Sequence, residues 1–361
     1  MGGTRARPEG RSTDKSSPGG RRHLRRLVAA AVLAATALVV TATPSRAAAA
    51  TPPTQPPSGP GGAGYSWSTT VVRTVTFSDH TKDYWTYEPS GWVGGGTAPT
   101  TAPLVVFLHG WLGDNPSYYA DWITHLVRKG NVLVFPRYQT SALTPPANFT
   151  PNAIFSVQQA LPMLAANATV KPNTSLGMTL VSHSWGGPVS VNIASRWSAS
   201  GLPQPKGLLL AEPFDRNVDS SLSGIPSTAK LDCIVGDVDT TTGRTGCDLI
   251  WDRTGHIPTA NRNYVWMYSD DHGSPGLTAD HRAPTSGTSA SVLDAVDWFG
   301  LWKLGDAIRD CGVTGTNCTI ALGNTAAQTS MGTWSDGVAV KALTVTTAKP
   351  ACPAGSGAKG C

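Results

Sequence analysis

The chain has no Cys-x-x-Cys pair, no cysteine before position 233, no internal repeat and no second long apolar run after the one near its start. Without closely spaced cysteine pairs a structural zinc site is a poor reading. Without a repeat, stacked or bladed architectures are set aside. Without a second apolar run, no multi-span membrane protein is expected. The one run, Leu27 to Val40, is short for a spanning helix and rich in alanine. It follows Arg21, Arg22, Arg25 and Arg26 and precedes Ser45-Arg46-Ala47, which has small residues at both ends. Charged start, apolar middle and small-residue exit predict a secretory signal peptide over residues 1–47, hence a secreted, extracellular protein with no stable membrane anchor after cleavage.

That leader carries most of the positive charge. Residues 48–361 hold 19 Lys/Arg against 21 Asp/Glu, a net of −2, although the whole chain is at +5. A basic total would point to nucleic acid, and here that pointer disappears with the leader. The remaining length suits one large α/β domain. We expect a flexible Pro/Gly-rich lead-in over 48–64, a catalytic domain over 65–318 and an extension of unassigned structure over 319–361. All six cysteines lie late: Cys233, Cys247, Cys311, Cys318, Cys352 and Cys361. An even number in an exported chain predicts disulfides, paired in sequence order because each consecutive pair encloses a short loop. A Cys233–Cys247 bridge would close a loop of about 15 residues, worth roughly 3 kcal/mol.

Along the chain, Val71 to Phe77 and Tyr84 to Tyr87 read as early antiparallel strands. Pro103 to His109 is a continuous apolar run, as in a strand buried on both faces. Tyr118 to Arg128 has helical spacing, Asn131 to Pro136 reads as a strand and Ala153 to Ala165 as a helix. Further strands are expected at Gly207 to Glu212, Lys230 to Gly236 and Asn263 to Ser269, with a terminal helix over Val292 to Ile308. Alternating strands and helices imply an α/β class with a mostly parallel central sheet flanked by helices.

The most informative stretch is Gly177-Met-Thr-Leu-Val-Ser-His-Ser184-Trp-Gly-Gly187. An apolar strand runs into a serine and then at once into a helix, over Pro188 to Trp197. This is the layout of a nucleophile elbow. Small residues are needed two places either side of the serine, where strand and helix nearly touch, and Ser182 and Gly186 stand there. The helix N-terminus also faces the serine, and its free N–H groups can stabilise negative charge. Ser184 is therefore the candidate nucleophile.

A serine needs a base, itself oriented by a carboxylate. In an open α/β sheet these partners sit at the carboxyl ends of later strands. His272 directly follows the last predicted strand and is the expected base, with His281 as the alternative; His109, His125 and His256 fit less well. Asp239, after Lys230 to Gly236, is the expected acid. Glu212 competes, and Asp237 and Asp215 stand behind. The N–H of Trp185 and of Trp111, in His109-Gly110-Trp111, are the expected oxyanion donors. Two tryptophans at those positions suggest an aromatic wall for an apolar acyl or aryl group.

These residues give the chain a family resemblance. The His-Gly-Trp loop, the Ser184 elbow, Ile234-Val-Gly-Asp-Val-Asp239-Thr and the late His272 resemble secreted bacterial α/β-hydrolases of the esterase and lipase kind. The acid loop is similar to that of cutinase-like polyester hydrolases. The Tyr119-to-Tyr138 region and Glu212-Pro213 resemble chlorophyllase-like and dienelactone-hydrolase-like relatives. The likeness spans roughly residues 70–310; it departs from the pattern at Ser182 and in the tail. It implies the α/β-hydrolase fold and a serine carboxylic ester hydrolase that works through an acyl-enzyme, without cofactor or metal. An amidase or acyltransferase with the same triad, or a non-catalytic binding protein, are the alternatives.

Overall fold

The computed structural model describes residues 49–286 and 292–361. The predicted signal peptide lies outside the described residues. Among the described residues nine strands form one sheet: β1 (Trp67–Val75), β2 (Tyr84–Trp92), β3 (Leu104–Leu108), β4 (Val132–Pro136), β5 (Met178–His183), β6 (Pro205–Ala211), β7 (Lys230–Gly236), β8 (Arg262–Met267) and β9 (Thr344–Thr346). Their spatial order is β1-β2-β4-β3-β5-β6-β7-β8-β9. The six strands from β4 to β8 run parallel. The hairpin β1–β2 at one edge and β9 at the other are antiparallel.

The apolar runs of the middle strands follow from burial on both faces. In β3, Leu104, Val106 and Leu108 pack on one side with Phe149, Ala153 and Val157 of α2 (Phe149–Asn167) and Val189 and Ile193 of α3 (Gly186–Arg196). Val105 and Phe107 face the other side with Trp122, Ile123 and Leu126 of α1 (Ala120–Arg128). Leu304, Ala307 and Ile308 of a C-terminal helix, Lys303–Thr314, complete that layer. A shorter helix, Thr245–Arg253, follows β7.

Three expectations shift. The terminal helix does not start at Val292, because Asp294 caps it: Asp294 Oδ1 accepts the Val296 N–H (2.8 Å), and Asp297 Oδ2 accepts the Asp294 N–H (3.0 Å). Side chains that satisfy the orphan donors of a first turn define where it begins. The lead-in, expected to be flexible, is hydrogen-bonded to the domain. Gly61 N–H donates to the buried Asp306 carboxylate (2.9 Å), and Ala50 O accepts the Ser274 N–H (2.8 Å). Gly61 is required there, since a Cβ would come within 2.0 Å of the Trp298 carbonyl oxygen. The tail forms two short helical turns, Cys318–Ala321 and Ala326–Thr329, then β9, which covers the edge of β8. Covering an edge strand removes a row of unpaired backbone groups.

The cysteines pair in sequence order: Cys233–Cys247, Cys311–Cys318 and Cys352–Cys361. Among the described residues no helix is long and apolar enough to cross a membrane.

Candidate active site

Ser184 stands between β5 and α3 with a backbone φ of +55°, a left-handed conformation unusual for a residue with a side chain. Three main-chain hydrogen bonds hold it there. Its N–H donates to Ala211 O (3.0 Å), and its carbonyl accepts the N–H of Gly187 (2.9 Å) and of Phe214 (3.0 Å). The close approach of helix to strand is visible at Gly186, where a Cβ would lie 2.0 Å from Leu108 O. Ser182 fits the other small position, buried, with its hydroxyl 3.3 Å from Leu209 O.

The imidazole facing Ser184 belongs to His281. Its Nε2 is 2.9 Å from Ser184 Oγ, and its Nδ1 is 3.0 Å from Asp239 Oδ2. His272, the expected base, is elsewhere: it is exposed and its Nε2 is 2.7 Å from Asp336 Oδ2. The reason is an excursion of the chain after β8. Asp270 and Leu277 exchange two backbone hydrogen bonds (2.9 and 2.8 Å), closing a loop with His272 near its tip. The returning chain is then pinned across the strand ends. Ala279 N–H donates to Ser269 Oγ (3.0 Å), and Ala279 O accepts the Val238 N–H (3.3 Å). Two residues later that path brings His281 over the serine.

Asp239 is fully buried and well supplied with donors. Oδ1 accepts the N–H groups of Thr241 (2.8 Å) and Thr242 (3.0 Å), while Oδ2 takes His281 and the Thr242 hydroxyl at 2.5 Å. Burial pushes its pKa up, but the bonds from His281 and Thr242 outweigh this and hold it at about 2. It is thus an anion throughout the neutral range. Glu212, the rival acid, also reaches the site: Oε2 is 3.7 Å from His281 Nδ1, beyond hydrogen-bond range. Both its oxygens are buried without a partner, and burial, then the charges of Asp239 and Asp280, push its pKa far up. Burial and the neighbouring charge therefore favour the protonated form of Glu212. Asp237 is used structurally, accepting the N–H (2.9 Å) and hydroxyl (2.7 Å) of Ser269.

His183, Glu212 and His281 offer ligand atoms within 4.8 Å of one another, a spacing a metal ion could use. The nitrogens are already engaged. His183 Nε2 is 2.9 Å from the His281 carbonyl, which can only accept, so the proton sits on Nε2; Nδ1 then accepts the Tyr119 O–H (2.9 Å). The Tyr119 oxygen in turn accepts the Gly110 N–H (2.8 Å). Burial, reinforced by the charge of His281, lowers the His183 pKa far enough to keep the ring neutral. One chain of hydrogen bonds therefore ties the Gly110 loop, the residue before the serine and the backbone of His281 together. The sequence offered His183 and Tyr119 only as members of a turn and of a helix face, so this link was missed.

Next to the serine, Gly110 N–H is used by Tyr119, Leu112 N–H by Gln139 Oε1 (2.8 Å) and Gly113 N–H by Gly110 O (2.9 Å). The N–H groups of Trp111 and Trp185 donate to no protein acceptor among the described residues. Both residues line a cavity of about 600 Å³ at Ser184, and their rings lie 5.3 Å apart, with Phe214 stacked on Trp185 at 4.6 Å. His109 does not reach the serine; it is buried and stacked on Tyr138. His125 pairs with Asp306 (2.9 Å), and His256 contacts Ile225 O (2.8 Å).

The last ten residues grip the loop that carries Asp239. Lys359 N–H donates to the Asp239 carbonyl (2.9 Å), Gly357 N–H donates to Asp237 O (2.9 Å) and Arg244 N–H donates to Lys359 O (3.0 Å). The Cys352–Cys361 bridge closes this terminal loop. Cys352→Ser with Cys361→Ser is expected to cut any turnover at this site about tenfold with little change in KM, since a supporting group displaced by about 1 Å can cost up to a hundredfold. Steady-state kinetics of the double variant check this; unchanged kcat would show that the grip is idle.

No protein-family model matches the sequence, and no curated protein matches it significantly.

Proposed function

We propose that this chain is a secreted serine ester hydrolase of the α/β-hydrolase fold, of the carboxylesterase or lipase type. The observation that carries the reading is the unbroken line from Ser184 Oγ through the His281 ring to Asp239, at 2.9 and 3.0 Å. Ser184 attacks the ester carbonyl while His281 Nε2 takes its proton. The developing oxyanion is received by the free N–H groups of Trp111 and Trp185. His281 then returns the proton to the leaving alcohol. Water, activated by the same imidazole, cleaves the acyl-enzyme. Asp239 fixes the ring with its proton on Nδ1 and stabilises the imidazolium. The resemblance to esterases supports the choice of esters, and the aromatic lining supports an apolar acyl or aryl group. The three disulfides fit an oxidising, extracellular setting.

The test is hydrolysis of p-nitrophenyl butyrate together with labelling by a fluorophosphonate and peptide mapping. Turnover with label on Ser184 supports the reading; absence of both refutes it.

The two carboxyls separate in a second measurement. Asp239→Asn is expected to lower kcat by about 10⁴, the cost of presenting the wrong imidazole tautomer. Glu212→Gln replaces a carboxyl whose oxygens make no hydrogen bond among the described residues, so a loss of less than about tenfold is expected. If the Glu212 variant is the inactive one, the acid has been misassigned.

A further inference from the structure

The cavity at Ser184 has an asymmetry that ester hydrolysis in general does not require. Trp111, Trp185, Phe214 and Tyr118 give it an aromatic lining, and no Asp or Glu is among the lining residues. On the segment that carries His281 the lining changes to Arg282 and Thr285, with Thr241 of the acid loop beside them. Among the described residues Arg282 is the one permanently charged side chain there.

Its guanidinium makes no ion pair or hydrogen bond among the described residues. Its main chain, by contrast, is fixed: the N–H donates to Asp280 Oδ1 (2.8 Å), and the carbonyl accepts the Thr285 N–H (2.8 Å) and hydroxyl (2.7 Å). The Asp280 carboxylate is thereby turned to the backbone, and it lines a neighbouring cleft rather than this cavity. Most other arginines of the domain are matched, as Arg196 is with Asp219, Arg137 with Asp114 and Arg244 with Asp248. A second cation, Lys359 Nζ, lies 5.7 Å from the Phe214 ring centroid. The cavity is therefore apolar in shape and positive at its charged edge.

Direction follows from the mechanism. The carbonyl oxygen must point to the N–H groups of Trp111 and Trp185, whereas the alcohol must leave beside His281, which protonates it. Arg282 is the next residue after His281 and lines the same cavity as that ring. We infer that the site prefers esters whose alcohol portion carries a carboxylate, such as O-acyl hydroxy acids, with Arg282 pairing that carboxylate. A guanidinium meets a carboxylate with two parallel N–H bonds, and this geometry selects an anion over an isosteric amide. The chemistry stays balanced: the Ser184 Oγ–acyl bond forms as the ester C–O bond breaks, and the hydroxy acid leaves with the proton from His281. Water then releases the acyl group as a free acid.

This inference rests on the ester-hydrolase reading, and the experiment separates the two. 4-(Butyryloxy)benzoate and 4-(butyryloxy)benzamide share the acyl group and shape and differ in one charge. Kinetics of both are measured for the full mature chain and for Arg282→Gln and Arg282→Lys. The native protein is expected to favour the benzoate, and Arg282→Gln to lower kcat/KM for it by about 10- to 100-fold, mainly through KM. The benzamide should stay within about twofold, and Arg282→Lys should keep part of the preference. Equal effects on the two esters, or no preference in the native protein, overturn the inference while leaving the hydrolase standing. Failure to hydrolyse either ester, or p-nitrophenyl butyrate, overturns both.

Discussion

Ser184→Ala is expected to remove ester hydrolysis almost completely, by roughly 10⁶-fold in kcat, comparable to removal of a nucleophilic serine in other triads. The protein should still fold. The change deletes one hydroxyl whose hydrogen bond is to His281, and the three main-chain bonds that hold the turn remain. Alanine is no worse than serine at a φ of +55°, because both carry a Cβ. A thermal melt within a few degrees of the native protein, together with lost turnover, is the expected pair of results. Near-normal turnover would mean that some other group attacks the ester.

The second large effect distinguishes the two histidines. His281→Ala should cost nearly as much as the serine change, since the serine then has no base within reach. Adding it to Ser184→Ala should cost almost nothing more, because the groups act as one unit. His272→Ala should stay within about twofold. That side chain is exposed and pairs with Asp336, and surface pairs of this kind contribute little. Kinetics of the two single variants and the double variant decide the matter, and a dead His272→Ala enzyme with an active His281→Ala one would overturn the geometry described above.

The serine was legible because everything that identifies it is local. The strand ending at His183, the turn at Ser184 and the helix starting at Gly186 follow one another without interruption, so the pattern is read within one stretch of chain. The parallel strands were legible for a similar reason: burial on both faces leaves a continuous apolar run, as in Leu104–Leu108. One helix limit moved where a side chain set the end, as Asp294 does; others moved by a few residues, as at Phe149–Asn167 and Trp67–Val75.

The histidine was not legible from order alone. His272 and His281 both follow the last parallel strand, and either satisfies the rule of nucleophile, acid, base. What separates them is the Asp270–Leu277 pairing, which turns the first away, and the bonds from Ala279, which bring the second back. Those bonds join residues that no periodicity links. The acid posed a similar problem. Asp239 and Glu212 end neighbouring strands, and they are ranked by distances of 3.0 and 3.7 Å to the same imidazole nitrogen and by the donors that only Asp239 receives from Thr241 and Thr242.

The sequence by itself thus determined the α/β layering, the order of the disulfides and the place of Ser184, because each depends on spacing along the chain. The tertiary structure alone decided which histidine faces that serine and which carboxyl bonds to that histidine. It alone also brought the tail, unreadable as sequence, to hold the acid loop. All three depend on where loops return in space, and that is set by single hydrogen bonds between segments far apart in the chain.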